Sequence, residues 1–194
     1  MTYSMIPDRD SDGVNMSPTQ AQTIMTTIEQ HLIRNDGFLI ASGPGPGPLI
    51  DCLRGTSDRL AIGIFGPTVC WMNELSCHCP GVIEKGEQWS SLLRTVNSQY
   101  VVKTTWIEDE EWKLTETNAN DLEKRLEAAA RKLWQEGCDV IVIGEIGLWP
   151  FYEAVRGTML RSGIRIINPL IPALRMLVSM LEEGYETPHP KEYR

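Results

Sequence analysis

The sequence predicts an α/β protein with mainly parallel sheets, and three observations carry that expectation. Short apolar runs at 38–41, 60–65 and 140–143 end in glycine or other turn residues, the pattern of strands buried on both faces. Segments of helical period lie between these runs nearly throughout, which is the arrangement of strand–helix–strand units. The segment 121–136 carries an apolar stripe of Leu122, Leu126, Ala129 and Leu133 and stops at Gly137, directly before the run that reaches Gly144 and Glu145.

Taken in order, residues 1–16 read as disordered or loosely packed. Ser17-Pro18-Thr19-Gln20 starts a helix, with Ser at the N-cap, Pro at the first helical position and Gln at the third, and the helix is expected to reach about residue 34. Ile24, Ile28, His31 and Leu32 share one face of it. Asp36-Gly37 is a turn, 38–41 a strand, and 42–48, with alternating glycine and proline, a loop. A short helix is expected at 49–54, a strand at 60–65 and a helix at 68–75. The stretch 77–84 divides: Val82 and Ile83 favour a strand, whereas Pro80 and Gly81 argue against a central one. Then follow a helix at 87–94, a strand at 100–106, an acidic connection at 107–120, a helix at 121–136, a strand at 139–144, a helix at 149–162, a strand at 164–167, a helix at 169–183 and a polar tail.

Composition bounds the function. A chain of 194 residues suffices for one sizeable domain or two small lobes. Its net charge of -8 makes nucleic acid and anionic membranes poor partners. No run of 18 apolar residues is present, so no membrane span is expected. The N-terminus lacks an apolar signal core, and five cysteines in a chain of this length do not form a disulfide framework. A cytoplasmic location is expected.

Glu145 is the first candidate for chemistry. It stands at the carboxyl end of a buried strand, where parallel sheets place their ligands, and a carboxylate there is costly unless paired, hydrated or used. An apolar crevice raises a carboxyl pKa toward neutrality, which suits a general acid or base. The bland alternative is a buried acid paired with Arg156 or Arg165. Cys77-His78-Cys79 has no second Cys/His pair at zinc spacing, so no metal is expected. Cys70 and Cys138 read as core thiols, with Cys70 also near enough to a helix start to reach a crevice. The glycines of the 43–47 loop lack the Lys-Ser/Thr ending of a phosphate loop.

Four stretches resemble the aspartate/glutamate/hydantoin racemase superfamily, most closely its hydantoin-racemase-like branch. Residues 36–42 resemble its first catalytic strand and 61–67 the strand and helix start that close its first lobe. Residues 139–148 resemble its second catalytic strand, and 166–170 its C-terminal return segment. The resemblance implies two pseudo-symmetric α/β lobes, here with a shortened first lobe. The first would comprise 17–76 with 168–184 and the second 77–167, followed by a mobile tail at 185–194. It also implies an inter-lobe active site, no cofactor and proton transfer next to a carbonyl. Family members use two cysteines; Ser42 stands in the place of the first and Glu145 in the place of the second. Glu84 and Lys85 stand where relatives carry small hydroxyl residues that hold substrate.

The resemblance therefore assigns Glu145 as acid/base and Ser42 as hydrogen-bonding partner. Gly43 and Gly45 belong to the loop that in relatives offers amides to a substrate carboxylate. Here Pro44, Pro46 and Pro48 remove donors, so a bulkier, weakly charged substrate is expected. Phe65, Trp71 and Trp149 would hold its body, and Gly144, Ile146 and Gly147 would frame Glu145. Asn168 would cap the last helix or line the cleft. One proton-transfer group suits isomerisation, or a lyase or cyclase reaction in the same pocket; a non-catalytic binding protein is the other class. An uncovered face of a shortened lobe predicts a homodimer or higher oligomer acting on a small molecule.

Overall fold

The computed structural model describes residues 36–41, 50, 53–54, 59–107 and 119–185. The expected loose N-terminus, the helix at 17–34, the glycine–proline loop with Ser42, Gly43 and Gly45, most of the acidic connection and the end of the tail lie outside the described residues. The chain forms two compact units, one of Met1–Pro67 with Pro172–Arg194, the other of Thr68–Ile171.

The first unit contains a two-stranded parallel sheet of β1 (Gly37–Ile40) and β2 (Leu60–Gly63), aligned Phe38 to Ala61. Buried Leu60, Ile62 and Leu177 form its core, with Leu39, Met176, Met180 and Leu181 packed against them. Gly37 permits this approach: a Cβ there would lie 3.1 Å from Leu177 Cδ1. Helix α1 (Phe65–Glu74) begins earlier than expected, so Phe65 opens a helix rather than ending a strand.

The second unit holds a four-stranded parallel sheet in the order β4-β3-β5-β6. Its strands are β3 (Pro80–Ile83), β4 (Lys103–Thr105), β5 (Val140–Ile143) and β6 (Ile166–Ile167). They alternate with helices α2 (Gln88–Val96), α3 (Ala119–Gln135) and α4 (Tyr152–Arg161), and α5 (Leu170–Glu182) follows β6. The expectation that Pro80-Gly81 keeps this strand from the middle is overturned. β3 lies between β4 and β5, with all four residues buried. Pro80 takes the first position of the strand, where a missing donor is tolerated. Gly81 lies under α3: a Cβ would stand 3.1 Å from both Leu133 Cδ1 and Cys138 Sγ.

Helix α3 packs on β3, β4 and β5. Its apolar stripe reaches Leu122, Leu126, Ala130 and Leu133, each at most 1% exposed, and burying each leucine contributes about 2 kcal/mol. Gly137, at φ +93, ends the helix while the Cys138 amide reaches back to the Leu133 carbonyl at 3.0 Å. β4 covers only part of the strand expected at 100–106. The helix expected at 149–162 begins only at Tyr152; residues 146–151 ahead of it form a 3-10 turn, within which Pro150 supplies no amide donor.

Asp139 secures the entry to β5. Its carboxylate accepts from the Cys77 thiol at 2.9 Å and from the amides of His78 at 2.7 Å and Cys79 at 3.2 Å. The Cys77–Cys79 stretch is therefore a loop tied to β5. Among the described residues no group of three His, Cys, Asp or Glu side chains could hold a metal, and no helix is long and apolar enough to cross a membrane.

Candidate functional site

The ends of three parallel strands meet at one edge of the second sheet. Ile83 of β3 aligns with Ile143 of β5 and with Thr105 of β4. The alignment continues one residue further: the Gly144 amide donates to Ile83 O at 2.9 Å and the Glu84 amide to Thr105 O at 3.2 Å. Sheet register thus sets Glu84 beside Gly144 and brings Lys85 and Glu145 to the same edge. Ligands of parallel sheets bind at such edges.

The two acids there have different surroundings. Glu84 is 4% exposed. Its Oε2 accepts from the Trp89 amide at 2.8 Å and its Oε1 from the Ser90 amide at 3.2 Å, so both oxygens cap α2. Burial pushes its pKa up, against the lowering effect of the Ser90 hydroxyl, those two amides and Arg94.

Glu145 is half-buried, with backbone φ -97 and ψ 119, and makes no side-chain cap to the 3-10 turn that it precedes. Burial raises its pKa. The amide of Gly147, the charge of Lys85 and the Lys85 amide oppose the rise, and the Glu84 carboxylate adds to it. Among the described residues Glu145 makes no ion pair: Arg156 lies 3.7 Å from Glu153, and Arg165 donates to the Leu75 carbonyl at 3.0 Å. The bland alternative of an acid locked to one of these arginines is therefore not what forms. Lys85 is exposed, its Nζ 5.9 Å from the centre of the Trp106 ring. Sequence reasoning missed Trp106; a basic residue and an aromatic ending adjacent strands was the available signal.

Gly144 permits close packing beneath this edge. A Cβ would meet Trp89 Cδ1 at 2.8 Å, and Trp89 is 1% exposed. Trp149 is buried and donates from its indole to Ile143 O at 2.9 Å, bracing the end of β5 from below. Ile146 is 45% exposed beside Glu145, and Gly147 is half-buried. Glu84, Lys85, Gly144, Glu145, Ile146 and Gly147 thus come together.

Other expected site residues lie elsewhere or play structural parts. Asn168 is buried and its Oδ1 accepts from the Leu170 amide at 3.0 Å, capping α5. Phe65 is half-buried at the start of α1. Trp71 lines a separate groove with Tyr152, Arg156 and Arg165. Cys70 is exposed, not a core thiol, because it lies on the outer side of α1. Cys138 is buried, and burial followed by the neighbouring Cys79 pushes its pKa up to about 12. Burial and the Asp139 hydrogen bond raise that of Cys77 as well. Such thiols stay protonated and are poor nucleophiles.

No protein-family model and no curated protein matches the sequence. Solved structures do match. Allantoin racemase from Klebsiella pneumoniae aligns with a TM-score of 0.61 at 16% identity, over 87% of this chain and 67% of that one. The fold is racemase-like. Maleate cis-trans isomerase from Nocardia farcinica aligns at 0.54 and 14% identity, over 87% and 76% of the two chains. An arylmalonate decarboxylase aligns at 0.52 and 12%, over 84% and 78%. The chain spans about two thirds of the length of the allantoin racemase. At these identities the likeness establishes the architecture, and the chemistry rests on the residues at the sheet edge.

Proposed function

We propose that this chain is an enzyme of the Asp/Glu/hydantoin racemase superfamily that moves a proton on the carbon next to a carbonyl, with Glu145 as acid/base and without a cofactor. One observation carries the reading: a half-buried carboxyl with a raised pKa stands at the ligand-binding edge of parallel strands, without an ion pair among the described residues. The fold neighbours support it, since their names describe a racemase, a cis-trans isomerase and a decarboxylase.

In the proposed cycle the Glu145 carboxylate takes the proton and leaves an enolate. The carboxylic acid so formed returns the proton to the same or a conjugated carbon. Ser42 would orient the substrate oxygen, and the proline-rich loop favours a bulky, weakly charged substrate. One proton-transfer group also suits a lyase in the same pocket, where loss of carbon dioxide creates the enolate and protonated Glu145 quenches it. The decarboxylase among the fold neighbours favours keeping that second reading. The expected cytoplasmic location and homodimer belong to the same proposal.

Solvent deuterium incorporation across a panel of carbonyl compounds tests it, read by mass spectrometry with Glu145→Gln as control. Exchange or carbon dioxide release by the wild type, and its loss in the variant, is expected. Full turnover by Glu145→Gln, or calorimetry showing tight binding of aspartate, glutamate or hydantoin, refutes the corresponding part.

A further inference from the structure

A groove of about 310 Å³ lies where the second half of α1, helix α4 and the entry to β6 come together, and it shares no residue with the Glu145 edge. We infer that this groove binds a small aromatic monocarboxylate, its ring against the apolar wall and its carboxylate on Arg156 and Arg165. The inference stands whether or not the proposed reaction does.

The volume falls at the small end of ligand clefts. Leu75, Leu160, Ile166 and Ile167 form an apolar wall beside Trp71. Leu160 is 51% exposed, so a ring lying on it would remove apolar surface from water. Two arginines and one glutamate, Glu74, supply the charge. On a chain of net charge -8 the lining holds more arginines than acids, favourable to one carboxylate; Glu74, and Glu153 at 3.7 Å from Arg156, oppose a second.

Both guanidiniums retain donors. Arg165 donates one Nη1 to the Leu75 carbonyl at 3.0 Å, a contact 90 residues apart in sequence that pins the side chain across the groove. A guanidinium carries five donors, so others remain for a ligand. Arg156 has only a 3.7 Å approach to Glu153, with the side chains 48% and 72% exposed. That is too long for a hydrogen bond and weak in water, so a carboxylate can displace it. Two planar donors beside an apolar wall match a flat acid and disfavour an aliphatic amine.

The test uses the full-length protein and two probes of one shape, 2-naphthoate and its neutral amide. Calorimetry is combined with NMR of the indole N–H groups, Trp71 being assigned from a Trp71→Phe spectrum. The expected result is that naphthoate moves the Trp71 resonance and binds about tenfold tighter than the amide. Arg156→Gln, an exposed substitution that leaves the Leu75 contact intact, should weaken naphthoate several-fold; Arg156→Gln with Arg165→Gln should weaken it about tenfold, to the level of the amide. Equal binding of acid and amide, shifts that spare Trp71, indifference to Arg156→Gln, or no binding up to about 10 mM would each overturn the assignment. If the double variant does not fold, the amide comparison and Arg156→Gln still decide.

Discussion

Gly144→Ala should destabilise the fold through one contact. The new methyl would lie 2.8 Å from Trp89 Cδ1 and 3.2 Å from its Cγ and Nε1. Carbon pairs come into contact at about 3.5 Å, so the methyl intrudes by roughly 0.7 Å. Trp89 is 1% exposed and anchored by its own helix, so the ring has no empty space to enter. Overpacking of this kind costs about 1–3 kcal/mol. Urea unfolding, followed by tryptophan fluorescence and circular dichroism, measures the loss. A double-mutant cycle isolates the cause: Trp89→Ala removes the ring atoms that the methyl meets. Gly144→Ala should then cost less in the Trp89→Ala background than in the wild type, with a coupling of about 1 kcal/mol or more. The reasoning fails if Gly144→Ala costs under about 0.5 kcal/mol, or costs the same in both backgrounds.

Three further outcomes follow from the same geometry. Glu84→Ala removes the carboxylate that caps α2 through Trp89 and Ser90 and should lower stability by about 1–2 kcal/mol, whereas Glu84→Gln, which keeps one carbonyl acceptor, should lose less; urea midpoints of the two variants decide. Burial opposes ionisation of Asp139, but the Cys77 thiol and the His78 and Cys79 amides outweigh it, so its pKa is lowered. Its contribution is present above the unfolded value and lost as pH falls through the folded one. Asp139→Asn should therefore cost about 1–3 kcal/mol at neutral pH, and the gap should close in acid, as urea midpoints across the acid range would show. Glu145 has a raised pKa, chiefly from burial, so its contribution is full below the unfolded value and is lost as pH rises through the folded one. Thermal unfolding of Glu145→Gln should match the wild type in acid and exceed it near neutrality, while proton exchange falls about 10²–10⁴-fold.

Most of the second unit could be read from the sequence because its signals are local. The stripe from Leu122 to Leu133, the stop at Gly137 and the run Val140–Ile143 each follow from spacing and backbone freedom. What could not be read depends on register. Pro80-Gly81 looked like a poor central strand because proline lacks a donor. Its placement depends on Leu133 and Cys138, which lie more than 50 residues away and require a glycine beneath them. The same holds for Asp139, whose three donors come from residues 77–79. Phe65 was assigned to the wrong element, because an apolar residue before Gly66-Pro67 fits a strand end and a helix start equally well. The candidate site was half legible: Glu145 and its glycines stand out, whereas the partner of Lys85 required knowing that β3 and β4 are neighbours.

The different positions of the two acids come down to the turn that follows each strand. After Glu84 the chain makes a short turn through residues 85–87 before α2 begins, which is enough to bring the first amides of that helix back over the carboxylate. After Glu145 it turns at once, so Glu145 itself becomes the residue before the helical turn. That position suits the short side chains of Ser, Asp or Asn; glutamate is one methylene longer and forms no cap there, although the Gly147 amide still draws its pKa down against burial. The buried acid is held by its helix, and the half-buried one is left facing Lys85 and the strand edge. A shorter side chain tests this: Glu145→Asp should gain a cap and stability, with a lower carboxyl pKa by ¹³C NMR, while losing proton exchange. If Glu145→Asp were less stable and kept a raised pKa, the turn would not be what separates the two acids.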